Sequence, residues 1–153
     1  MRRLRKFLAL SPAGRTIVLR SLLLLPVVSA LVRARGMGGA RAWLEHLGPR
    51  AGRDTSALTA SEIASLVGAA GSLLRAGCLP RSLVLWHFLH HGSHRVEVRL
   101  GVSKLADGNL RAHAWVEFDG LPLNDGPDVL ERYAALPSIA DQFTITHVNT
   151  PSL

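Results

Sequence analysis

The chain has 153 residues, the size of one ordinary domain, with 48% hydrophobic and 19% charged residues, so a packed core is available and an extended disordered chain is not expected. One cysteine, Cys78, excludes an internal disulfide framework and a cysteine-based zinc cluster. The net charge of +7 is unevenly spread: residues 1–53 hold eleven Arg or Lys and a single acid, Glu45 (+10), whereas residues 54–153 hold seven basic and ten acidic residues (−3). A basic segment of this kind attracts phosphates, anionic headgroups or an acidic partner. It lies in an apolar region with few aromatics for base stacking, which argues against nucleic acid.

Arg2, Arg3, Arg5 and Lys6 precede an apolar stretch, which allows three readings: a cleavable signal, an interfacial amphipathic helix at a membrane surface, or a core helix. Arg20 interrupts the stretch, and the clean run Leu22–Val32 is shorter than the roughly 20 residues that span a bilayer, so the core helix is preferred. Ser11-Pro12 starts this helix, and Pro26 is expected to kink or end it. Gly36–Gly39 reads as a hinge, and a short second helix runs through Trp43 to Leu47, where Gly48-Pro49 stops it.

Thr59-Ala-Ser-Glu62 is a capping box, and Ile63, Leu66, Val67, Ala70, Leu73 and Leu74 follow at helical spacing toward Gly77. Another helix begins at Cys78-Leu-Pro80 and ends at Gly92 in the left-handed conformation. The apolar period then changes to two. Val96, Val98 and Leu100 form one strand, and Ala114, Val116 and Phe118 a second beyond the Asp107-Gly108 turn. Leu121–Asp125 forms a third strand beyond Asp119-Gly120, and Gln142–Val148 is one more candidate. Helices followed by an antiparallel meander give an α+β fold in a single domain over 1–153: a basic helical part over 1–53 and a catalytic core over 58–150.

The chemistry concentrates in Cys78 at a helix start, His113 on one strand and Asp125 at the end of the next. A helix N-terminus favours a thiolate, and its free N–H groups can hold an oxyanion. A three-residue loop with Gly120 as a bulge would pair Glu117 with Leu121 and set His113 opposite Asp125. Partners so placed lie about 4.5–5.5 Å apart at Cβ. A two-residue loop would send Asp125 to the other face, so the triad is expected to need the longer loop. Stretch 54–77 contains neither Gln nor Trp to complete an oxyanion hole. His87, His90, His91 and His94 include i,i+4 pairs suited to a metal. Gly92 is expected to break the helix and no acid stands among them, so a solvated helix end is preferred to a metal site.

Gly77-Cys-Leu-Pro-Arg-Ser-Leu83, His113-Ala-Trp-Val-Glu117 and Gly120-Leu-Pro-Leu-Asn-Asp125 together resemble the transglutaminase-like cysteine peptidases of lasso-peptide biosynthesis, over roughly residues 60–130. The resemblance implies a transglutaminase-like, papain-like core with Cys78 as nucleophile, His113 as general base and acid, and Asp125 as its orienter. It implies no cofactor. Trp115 and Glu117 share the His113 face and are candidates for lining the substrate cleft. Arg81 is a further candidate substrate contact, with a structural ion pair as the preferred role. The implied substrate is the leader region of a precursor peptide, read by a separate leader-recognition protein, with an ATP-dependent macrolactam cyclase using the freed core. A cytoplasmic setting follows, with peripheral membrane contact through the basic N-terminus. An acyltransferase of the same fold and a non-catalytic precursor-binding adaptor are the competing functions.

Overall fold

A computed structural model describes residues 7, 9–48 and 57–137. The elements are α1 (Pro12–His46), α2 (Ala60–Leu73), α3 (Cys78–Leu89), β1 (Val96–Lys104), β2 (Leu110–Phe118), β3 (Leu121–Pro122), α4 (Val129–Arg132) and β4 (Ala134–Ala135). Helices thus precede an antiparallel sheet of order β3-β2-β1-β4, an α+β architecture. The candidate strand Gln142–Val148 lies outside the described residues.

Helix α1 starts as expected: Ser11 Oγ accepts the Gly14 N–H at 3.1 Å and Pro12 occupies the first turn. Pro26 does not end it. The helix runs on, and its break is Gly36, at φ 69° and ψ −174°, where the hinge was expected. Ile17, Ser21, Leu25 and Val28 are buried on one side at helical spacing, and Ala40 and Leu44 beyond the kink. Because the helix continues past the apolar run, α1 is long and apolar enough by length and composition to cross a membrane. Its buried stripe nevertheless packs against α2 and α3 in the main core.

Helix α2 opens on the full capping box: Thr59 Oγ1 accepts the Glu62 N–H, and Glu62 Oε2 accepts the Thr59 N–H at 2.7 Å. It closes earlier than Gly77. The Ala76 N–H reaches back to the Gly71 carbonyl at 2.9 Å and Arg75 takes φ 52°, a Schellman closure with arginine where glycine is usual. This reversal delivers the chain directly into α3. Helix α3 ends at Leu89, capped by His90 in the right-handed region, and Gly92 is not left-handed.

Ala114 and Val116 of β2 are buried, Val116 within the main core beside the helices. The alternate residue Trp115 is also buried, in a second small core with Val129 and Tyr133. Strand β2 is therefore covered on both sides, by α3 on one and by the α4 segment on the other. Gly101, paired with His113, is needed here. A Cβ would stand 2.9 Å from the Trp115 ring and from Tyr133 Cβ.

The left-handed Arg75 generates a test. A non-glycine residue there costs about 1 kcal/mol, and the side chain is exposed. Arg75→Gly is therefore expected to stabilise the protein by about 0.5–1 kcal/mol, read as a higher midpoint in chemical denaturation.

Candidate active site

The hairpin between β2 and β3 sets the position of Asp125. Asp119 (φ 50°) and Gly120 (φ 84°) form a two-residue turn, with Phe118 paired to Leu121 and Glu117 to Pro122. The expected bulged loop is absent. The aspartate holds its left-handed position because Oδ1 accepts the Arg95 N–H at 3.0 Å and Oδ2 pairs with His94 Nδ1 at 2.7 Å.

The shorter loop does not separate His113 from Asp125, because β3 ends before its register reaches them. Pro122, at the non-hydrogen-bonded pair opposite Glu117, turns its nitrogen to the open sheet edge and costs the ladder nothing. The Leu123 N–H still reaches the Val116 carbonyl at 2.9 Å, but the return bond is made by a side chain: Val116 N–H donates to Asn124 Oδ1 at 2.7 Å. The backbone thus leaves the sheet at Asn124, and Asp125 swings back to hydrogen-bond His113 Nε2 through Oδ2. Asn124 Nδ2 also contacts Ser82 Oγ at 3.4 Å, and the buried Ser82 hydroxyl donates to the Ala114 carbonyl at 3.1 Å. One polar chain thereby fastens the first turns of α3 to the backbone beside His113.

Asp125 is held from several sides. Its Oδ1 accepts the Gly126 N–H at 2.8 Å and Arg132 Nη2 at 2.9 Å, and Arg132 also pairs with Asp128 at 2.8 Å. Burial alone would raise its pKa. The hydrogen bonds from His113, Gly126 and Arg132 outweigh that and hold the carboxyl below the usual carboxylate range. The His113 ring stacks on Tyr133 at 4.9 Å between centroids, with Trp115 at 6.2 Å. Asn124, Ser82, Arg132 and Tyr133 were not singled out by the sequence. The signals were that Ser82 and Asn124 lie inside the quoted motifs, that Tyr133 is the sole tyrosine and that Asp128 and Arg132 stand four apart.

Cys78 opens α3 and is partly exposed. Among the described residues its thiol has no hydrogen-bond partner, His113 included. Gly77 offers no capping side chain and Pro80 has no N–H. The first-turn donors left for a ligand are the N–H groups of Cys78 and Leu79.

Three other candidates take definite places. Trp115 is fully buried, donating to Glu117 Oε1 at 3.2 Å, so it supports the histidine strand instead of lining a substrate cleft. Glu117 pairs with Arg99 at 3.5 Å on the same face. Arg81 forms no ion pair among the described residues, contrary to the role preferred for it. Its side chain lies across Gly71, and its buried Nε lacks a hydrogen-bond partner. With Ser65, Leu85, Asn124 and Asp125 it lines a cleft of about 310 Å³ between α2 and the segment after β3.

Residues 22–138 match the family model described as the transglutaminase-like superfamily. The match covers most of the chain and both parts of this site. The fold it identifies serves cysteine peptidases and acyltransferases. No curated protein and no solved structure matches the chain.

The depressed Asp125 pKa has a stability consequence of defined sign. The carboxylate stabilises the folded state above its unfolded pKa of about 3.9, and the contribution is lost as pH falls through the lower folded value. Asp125→Asn is expected to cost about 1–3 kcal/mol at pH 7. In urea denaturation the difference from the parent should shrink toward pH 2.

Proposed function

Because the chain belongs to the transglutaminase-like superfamily, we propose that it is a cysteine peptidase that removes the leader from a ribosomally made lasso-peptide precursor. The observation that carries the reading is the His113–Asp125 pair, tied through Asn124 and Ser82 to the helix that Cys78 opens. The leader substrate rests on the resemblance of the three motifs.

With Nε2 engaged by Asp125, Nδ1 is the nitrogen of His113 that exchanges a proton with the Cys78 thiol. The thiolate attacks the carbonyl at the leader–core junction, and the Cys78 and Leu79 N–H groups receive the oxyanion. His113 then protonates the departing amine, which frees the core's N-terminus and leaves the leader as a thioester. Water, deprotonated by His113, hydrolyses that thioester and restores the thiol. Asp125 fixes the imidazole tautomer and stabilises the imidazolium, with Arg132 and Gly126 fixing Asp125. Arg81, which lines the same cleft as Asp125 and whose Nε has no hydrogen-bond partner among the described residues, binds a substrate carbonyl or carboxylate.

The partners follow from this reading: the precursor's leader region, a separate leader-recognition protein, and a macrolactam cyclase that takes the freed amine. A cytoplasmic location, peripheral to the membrane through the basic N-terminus, fits the same reading.

Incubating the chain with a candidate precursor and its recognition protein, and weighing the fragments, tests it. Cleavage should yield a leader ending in a free carboxylate. A leader mass raised by an added amine would instead establish the acyltransferase. Cys78→Ala is expected to abolish cleavage while precursor binding persists, and Asp125→Asn to lower kcat by roughly 10²–10⁴-fold. Arg81→Met should act mainly on KM. Unchanged cleavage by the Cys78→Ala protein would refute the mechanism.

A further inference from the structure

The other end of α3 carries a second cluster of reactive side chains. His87, His90 and His91 each bring one ring nitrogen to within 4.8 Å of the others. The expected solvated helix end holds for the exposed His91 and His94, but not for His87. His87 is only 4% exposed, and among the described residues its buried Nδ1 has no hydrogen-bond partner. A buried lone pair or N–H left unpaired is costly, so an internal role for it is to be sought. His94, the fourth histidine of the sequence motif, is drawn away to Asp119 at the β2–β3 turn.

The geometry points to a site for one divalent transition-metal ion, of the zinc class, on His87, His90 and His91. Three imidazoles suit zinc, copper or nickel rather than magnesium or calcium. His90 Nδ1 is directed at the Trp86 and His87 carbonyls, at 3.1 and 3.2 Å, which leaves Nε2 for the ion. A carbonyl partner of this kind commonly fixes the tautomer of a metal-ligating histidine. The Trp86 ring stacks on His90 at 3.9 Å and sets its plane. His91 makes no hydrogen bond among the described residues and is exposed, giving the ion a way in.

Nitrogens around a tetrahedral zinc stand about 3.4 Å apart, so closing the cluster takes a shift of about 1 Å or less per ring. Water completes the coordination. Two charges from α1 bear on the site: the Arg20 guanidinium acts on His87 against a cation, and the Glu45 carboxylate acts on His90 in its favour. Nine residues of helix, about 13 Å, separate His87 from Cys78, so the ion is not part of the proposed catalytic site.

Tag-free full-length protein, stripped with chelator, is titrated with zinc by calorimetry and by competition with a chromophoric chelator. One ion per chain is expected, with a rise in thermal midpoint. The titration is repeated in Cys78→Ala, where binding should be unchanged because the thiol is not a ligand. The double variant His90→Ala/His91→Ala leaves the buried His87 and the core in place, and should lose affinity by more than ~100-fold. His46→Ala/His94→Ala should bind as the parent does. Absence of stoichiometric binding overturns the proposal. So does binding that survives in the His90/His91 variant, or that disappears with Cys78 or with His46 and His94.

Discussion

The candidate site depends on one substitution of a side chain for a backbone group. At Val116 the β2 strand expects a carbonyl from its neighbour and receives the Asn124 side-chain oxygen instead. That exchange satisfies a partly buried donor while releasing the main chain from the sheet. Without it the chain would continue the ladder, and the alternation of side chains would carry Asp125 away from His113. The same amide reaches Ser82, so strand end and helix start are fixed by one group.

Around this anchor the two sides of β2 have different tasks. Ala114 and Val116 are covered by helices, which fixes the strand relative to α3. His113 and Trp115 face the small core built by Val129 and Tyr133, which fixes the imidazole plane. Gly101 opposite is the space in which those rings fit. The catalytic reading therefore asks rigidity of the histidine and its acid, and leaves the thiol at an exposed helix tip where a peptide can approach. The opposite end of α3 is crowded differently, with three imidazoles gathered where the helix stops and α1 passes.

Much of the local structure was legible in the residues. The capping box at Thr59, the Ser11-Pro12 start, the break at Gly36 and the strand alternation after Gly92 each act within a few residues, and each appears. Departures arise where a local rule met a distant partner. Asp119 accepts a left-handed backbone because Arg95 and His94 bind its carboxylate, and those contacts join the ends of two strands more than twenty residues apart in the chain. Arg75 closes α2 without a glycine because the path into α3 demands the reversal. Pro26 lies on an exposed side of a helix whose other face is buried, so packing carries the helix past it.

By itself, then, the sequence determined that helices precede an antiparallel hairpin, the α+β class and the placing of Cys78 at a helix tip with His113 on a strand, because capping and periodicity are short-range effects; α4 and β4 were not legible in it. Only the tertiary structure decided how Asp125 reaches His113, that Trp115 is core, that the Arg81 Nε has no hydrogen-bond partner among the described residues and that His87 is enclosed. These are properties of where a strand ends and what covers a surface, and both are set by contacts between residues far apart in the chain.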